Sequence, residues 1–181
     1  MSGHNKWSQI KNQKGATDKK RGQIFSKLLK AISIAAKTEP NPKFNPRLRS
    51  AIEKAEENNV PQENISRAIH KASEEKNLED LIIEAYGPEG AQLIIEAITD
   101  NRNRTISEIK HLLTEQGAKI ANPGSVLWAF SAEGGSASGG EHTWKPKFSQ
   151  SISESAKNKL KTLMEALEEH DDVQKVTTNI S

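Results

Sequence analysis

The residues with the plainest chemistry are cations. Lys6, Lys11, Lys14, Lys19, Lys20 and Arg21 crowd the start of the chain, where Asp18 is the one acid and Trp7 the one indole. Ammonium and guanidinium groups at this density attract polyanions, and an aromatic ring among them can stack on an unpaired base. The chemistry expected is binding of nucleic acid; the alternative is a solvated basic tail with Trp7 docked on its own protein. Arg47 and Arg49 follow a proline and add to the charge. Arg102 and Arg104 stand in the polar run Thr99 to Thr105, ahead of a helix start, where guanidinium forks and backbone N–H groups together could hold a phosphate. A structural turn, with Asp100 pairing an arginine and Asn101 and Asn103 capping it, competes with that reading.

Other chemistries find little support. His4, His70, His111, His142 and His170 are scattered with no i, i+4 pair, so no zinc site is expected. Asp171 and Asp172 beside Glu168 and Glu169 read as a solvated acidic helix end, with a magnesium site as the alternative. Asp100 with Glu96 or Glu108 lacks a third ligand for a metal-dependent nuclease. No P-loop, GxGxxG or nucleophile motif occurs, and with no cysteine there is neither disulfide nor thiolate site. The chain therefore reads as a non-enzymatic binder without cofactor or metal. No apolar run approaches the roughly 18 residues of a membrane span, and the N-terminus lacks a signal peptide's apolar core; a cytoplasmic monomer is expected.

Only 34% of residues are hydrophobic and 28% are charged, which suits small domains better than one thick enzyme core. The net charge of +2 conceals an asymmetry: residues 1–71 hold 15 cations and 6 acids, residues 72–181 hold 11 and 18. Polyanion binding thus belongs to the first part, while the acidic second part would face a protein or temper non-specific binding.

The elements that must position these groups follow from periodicity and punctuation. An extended, flexible basic arm is predicted over Met1 to Thr17, with Asp18 capping a helix to Lys37 that buries Ile24, Phe25, Leu28, Leu29, Ile32, Ala35 and Ala36. Pro40 and Pro42 break it. Asn45-Pro46 starts a second helix, and a third begins near Pro61 with Ile65, Ala68, Ile69 and Ala72 inward and Arg67, His70 and Lys71 on other faces. Three helices with one apolar stripe each must pack together, giving a domain over 1–77. From 78 to 181 the pattern is β-β-α-β-β-α-β: strands at 81–86, 92–98, 125–130 and near Trp144, a helix opened by a Thr105/Glu108 capping box, a helix over 153–170 seamed by Ala156, Leu160, Leu163 and Leu167, and a last strand over 172–179. Ser131 to Gly140 reads as a flexible Gly/Ser connector. The fold class is α+β: a basic arm and three-helix unit, then a ferredoxin-like domain with an extra strand.

These stretches closely resemble the YebC/PmpR family. The resemblance is carried by Gly3-His4-Asn5-Lys6-Trp7, Lys20-Arg21-Gly22, Asn45-Pro46-Arg47-Leu48-Arg49, Tyr86-Gly87-Pro88, Thr99-Asp100-Asn101-Arg102-Asn103-Arg104-Thr105 and Gly124-Ser125-Val126 with Trp128 and Phe130. It implies a DNA-binding transcriptional regulator; in the mitochondrial branch and some bacterial members it implies a translation factor at the ribosome, contacting ribosomal RNA or transfer RNA. Family members generally carry a further α/β domain after the strand ending at Phe130, where this chain has Ser131 to Gly140. The resemblance transfers no contact residues, so the nominated set rests on charge and position.

Overall fold

The computed structural model describes residues 4–74, 77–133 and 143–181, with side chains from Thr17 onward. Its first element, α1 (His4–Ala36), is one continuous helix of 33 residues, about 50 Å long at 1.5 Å per residue. It runs through the segment predicted as an extended arm, and Asp18 lies inside it instead of capping it. The physical reason is cooperativity. No proline interrupts residues 4–36, Lys, Gln and Ala are good helix formers, and Gly15 and Gly22 each cost only about 1 kcal/mol relative to Ala. A helix already nucleated by a packed half adds one hydrogen bond for each residue it propagates through.

That packed half begins at Phe25. Phe25, Leu28, Leu29, Ile32, Ala35 and Ala36 meet Leu48, Ala51 and Ala55 of α2 (Pro46–Glu57) and Ile65, Ala68 and Ala72 of α3 (Gln62–Lys71). Asn45 fixes the turn between α1 and α2 in two ways. Its Oδ1 accepts the Leu48 N–H at 3.0 Å, while its Nδ2 donates to the carbonyls of Ala35 and Glu39 at 2.8 and 2.7 Å.

The α+β part has β1 (Glu79–Tyr86), β2 (Gln92–Thr99), α4 (Arg102–Glu115), β3 (Lys119–Ile120), β4 (Phe130–Glu133), β5 (Thr143–Pro146), α5 (Glu154–Glu168) and β6 (Val173–Thr178). The main sheet has the order β3-β1-β2-β6 with antiparallel neighbours. The β2-α4-β3 passage is therefore a split β-α-β unit, and the extra first strand sits inside the sheet, between β2 and β3. Alternation along the strands sends Leu81, Ile83, Ala85, Leu93 and Ile95 to one face, where Ile109 and Leu113 of α4 and Leu160, Leu163 and Leu167 of α5 cover them. α4 ends on Gly117 at φ +70, with Ala118 N–H bonded back to the Leu113 carbonyl at 2.8 Å, a left-handed position that glycine adopts without strain.

The strand predicted over Ser125 to Phe130 is mostly a tight turn, and only β4, from Phe130, is extended. The cause is Glu84. Its carboxylate, on a residue only 5% exposed, accepts the backbone N–H groups of Gly124, Val126 at 2.6 Å and Leu127 at 2.8 Å. Donors aimed at one carboxylate cannot also form a ladder. β4 and β5 pair with each other, Ala132 opposite Trp144, as a separate ribbon whose Phe130 and Trp144 pack against Ile94 on the sheet's second face. Ser131 to Glu133 thus belong to a strand, and the rest of the predicted connector, 134–140, lies outside the described residues.

Ser153 caps α5, accepting the Ala156 N–H at 3.2 Å. Leu163 is 0% exposed between that helix and the sheet, whereas Ile82, on the sheet's second face, is 46% exposed. Leu163→Ala is expected to destabilise the fold by about 2–5 kcal/mol, and Ile82→Ala by about 0.5 kcal/mol or less. Urea denaturation of the two variants checks the contrast.

Candidate nucleic-acid interface

The nominated cations fall into two groups. Lys6, Trp7, Lys11 and Lys14 lie in the first three turns of α1, with side chains outside the described residues; Lys19, Lys20 and Arg21 follow, exposed, before core packing starts at Phe25. Arg21 rests its guanidinium 5.1 Å from the centroid of the Phe25 ring. Across its length α1 carries eight Lys and Arg residues and one acid, Asp18. Its first nineteen residues, His4 to Gly22, are roughly 28 Å of helix.

The nominated arginines of α2 and α4 are occupied within the protein. Arg47 forks onto Asp80 at 2.8 and 2.6 Å, joining the start of α2 to β1, and Arg102 stands 3.7 Å from Glu79. Arg104 pairs with Asp100 at 2.9 Å and with Asp172 at 2.8 Å. Asn101 caps α4 by accepting the Arg104 N–H at 3.1 Å, so the helix begins one turn ahead of the predicted capping box. The Arg102/Arg104 turn thus contains two contacts of the structural alternative, the Asp100 pair and the Asn101 cap. Arg49 stays exposed, with one bond to the Pro42 carbonyl at 3.3 Å.

Asp172, expected in a solvated acidic helix end, is instead 2% exposed and is the hub of the interface between the helices and the sheet. Its carboxylate accepts Lys30 Nζ at 2.7 Å, Arg104 Nη2 at 2.8 Å and Thr105 Oγ1 at 2.7 Å. Burial alone would raise its pKa, but the bonds from Lys30, Thr105 and Arg104 outweigh that and hold the carboxyl well below the usual carboxylate range. Around it, Lys27 donates to the Glu168 carbonyl, Lys30 also to the Asp171 carbonyl at 3.3 Å, and Gln23 to the Asp171 carboxylate at 3.2 Å. Burial pulls the Lys27 ammonium below its ordinary range, although Asp171 and Glu168 face it. α1 is thereby clamped by its apolar face to α2 and α3, and by its polar face to the α5–β6 corner. No sequence signal marked Asp172 over Asp171; three donors from two helices, α1 and α4, select it.

Glu108, His170 and Asp172 bring ligand atoms within 4.8 Å of one another. They do not form an open metal site. Both Asp172 oxygens are taken, and His170 Nδ1 accepts the Asp172 N–H at 3.1 Å while Nε2 faces Glu108 at 2.9 Å. Lys30 and Arg104 already supply the positive charge there.

Comparison with known proteins gives a consistent picture. Residues 5–75 match the TACO1/YebC protein N-terminal domain, and residues 78–137 and 132–180 match the TACO1/YebC second and third domain. A "Probable transcriptional regulatory protein" of Finegoldia magna is 48% identical over 138 residues, covering 74% of this chain and 57% of its own length. Its namesake in Chloroherpeton thalassium is 49% identical over 138 residues, covering 74% and 55%. The chain spans a little over half the length of these relatives. The crystal structure of Aq1575 from Aquifex aeolicus, a conserved hypothetical protein, superposes with a TM-score of 0.80 at 33% identity, covering 89% of this chain and 90% of that one.

Removing the Asp172 charge leaves two cations facing each other without their shared acceptor. Asp172→Asn is expected to cost about 1–3 kcal/mol, less than the roughly 3–5 kcal/mol of a fully buried pair, because Lys30 and Arg104 keep partial access to solvent and Arg104 keeps Asp100. The depressed native pKa also fixes the sign of the pH dependence. This stabilisation is fully present above the unfolded carboxylate value of about 4 and drains as pH falls from there through the lower native value. Urea midpoints measured from neutral pH into acid should fall more steeply for the wild type than for Asp172→Asn.

Proposed function

The chain belongs to the TACO1/YebC family, and on that premise we propose that it is a non-enzymatic, nucleic-acid-binding regulator of gene expression whose partner is duplex DNA. The observation that carries this is α1, a long helix with eight cations and one acid whose first half precedes its packed section and whose second half is anchored on two sides. The regulator names of the relatives support the same reading. No catalytic role is proposed, because the titratable groups drawn together at Asp172 are spent on each other.

Helical form bears on the choice of nucleic acid. A flexible arm with one stackable ring favours unpaired RNA, but a rigid basic helix suits the B-DNA major groove, about 12 Å wide and able to admit an α-helix. The major groove of A-form RNA is too deep and narrow for side chains to read. Residues 1–77 are proposed as the binding part and 78–181 as the part that orients it. Among the described residues no helix is long and apolar enough to cross a membrane, and a site of action in the cytoplasm is part of this proposal.

If about six cations of α1 meet phosphates, log K for duplex DNA falls with log salt at a slope of about −5, at roughly 0.9 per phosphate. Replacing Lys6, Lys11, Lys14, Lys19, Lys20 and Arg21 together by Ala should remove most of that slope and weaken all sequences alike, because phosphate contacts position without specifying. Fluorescence anisotropy across a salt series measures both, and a wild-type slope near zero rejects the proposal. Trp7→Ala separates DNA from RNA. A loss of about 1–3 kcal/mol on single-stranded RNA, with little change on duplex DNA, would replace the DNA reading by ribosome-linked translation control.

A further inference from the structure

Beside the anchored half of α1, helix α3 leaves an open cleft of about 390 Å³ whose rim carries Ser26 of α1 and Asn64, Arg67 and Lys71 of α3. α3 turns Ile65, Ala68 and Ala72 inward. Asn64, Arg67 and Lys71, spaced by three and four residues, therefore share one outward face. On the α1 side, Lys19, Ser26 and Ser33 recur every seventh residue, which stacks them along one line of the helix, about two turns apart. The cleft thus continues the exposed flank of the basic half of α1.

Its chemistry is that of an anion site. None of the lining residues is acidic, and three are cationic: Lys30, Arg67 and Lys71. Lys30 gives its ammonium to Asp172 and only its stem to the cleft. Arg67 pairs with Glu63 at 2.7 Å, but both partners are largely exposed, at 57% and 81%, so a phosphate can compete for the guanidinium. Lys71 makes no ion pair among the described residues. Small-molecule pockets are enclosed and mostly apolar; this cleft is open, with hydroxyl, amide, guanidinium and ammonium donors on its rim, which suits a charged chain passing through.

We propose that the α1/α3 cleft is a phosphodiester-backbone clamp, in which Arg67 and Lys71, helped by Ser26 and Asn64, hold the DNA strand bordering the groove that α1 enters. The clamp rests on the nucleic-acid reading above and adds α3 to it. Its geometry is set by the core, because Ser33 Oγ donates to the Ala68 carbonyl at 3.3 Å across the base of the cleft.

The test uses the full chain, a fluorescent mixed-sequence duplex DNA and a salt series. Arg67→Ala/Lys71→Ala should lower the magnitude of the log–log slope by about 2, at roughly 0.9 per contact, and weaken different sequences to the same degree. Ser26→Glu, which puts a negative charge on the cleft wall, should weaken binding as well, and Glu63→Gln, which frees Arg67, should strengthen it. Thermal melting should match the wild type throughout, since all four positions are exposed. If the wild type binds with a steep salt slope while these variants bind as it does, the cleft is a solvated groove and the clamp is wrong, with the duplex-DNA reading intact. A wild type that binds no duplex DNA removes that reading and the clamp with it.

Discussion

One buried carboxylate holds the two halves of this molecule in register. Asp172 receives Lys30 from α1, Arg104 and Thr105 from α4, and its own carbonyl accepts the Ile98 N–H of β2 at 2.8 Å. Three elements therefore meet at one residue of the α5–β6 corner. Buried ion pairs are weak evidence for net stability, because desolvation offsets much of the attraction. What this one supplies is a fixed point: Lys30 pairs with the buried Asp172 carboxylate at 2.7 Å, so a rotation or axial shift of α1 that broke the pair would leave that carboxylate short of a donor. Apolar packing against α2 and α3 would tolerate a range of tilts against the sheet; the polar clamp does not.

α1 therefore acts as a shared beam. Its apolar face completes the three-helix core, its polar face docks on the α5–β6 corner, and Ile34 reaches Leu78 and Ile98 at the start of the α+β part. A helix fixed on two sides over its C-terminal half transmits that orientation to its N-terminal half through its own hydrogen-bond ladder. The basic half points where the body aims it, which an extended arm could not do. Orientation matters for the proposed groove entry, since an element ordered in advance loses less freedom on binding.

Much of this fold is legible in the sequence, because local signals decided it. Asn45-Pro46, Ser153 and Gly117 mark helix ends by the donors and acceptors they satisfy, and the alternation in β1 and the seam of α5 follow from burial on one face. Three of the departures share one cause: a long-range polar contact overrode a local preference. Ser125 to Phe130 has strand-forming residues, but Glu84, some forty positions earlier, takes the N–H groups a strand would need. Thr105 and Glu108 fit a capping box, yet Thr105 is buried against Thr99 and Asp172. The two adjacent aspartates 171 and 172 look alike in sequence, and only the approach of α1 and α4 sorts them into one surface and one interior residue. For the start of α1 the missed term was propagation, which a reading of the arm's charge and glycines alone does not contain.

The same contacts change the meaning of the charge asymmetry. A basic first part and an acidic second part suggest two external partners, but part of the opposite charge is spent internally. Asp80 takes Arg47, Asp171 and Asp172 take Gln23 and Lys30, and the carbonyls of Glu168 and Leu78 take Lys27 and Lys37. The helical unit is thus held to the α+β part largely by its own cations, and each contact made by a Lys or Arg ties up one positive charge that a polyanion could otherwise reach. The subtraction is uneven along the chain. It removes Lys27, Lys30, Lys37 and Arg47 near the junction, and among the described residues it leaves Lys19, Lys20 and Arg21 outward on α1, with Arg49 on α2 and Arg67 and Lys71 on α3. A balance near zero over the whole chain is therefore compatible with a concentrated basic surface, because opposite charges that neutralise each other at the internal junction cancel from the total without weakening the field at the far end of the helix.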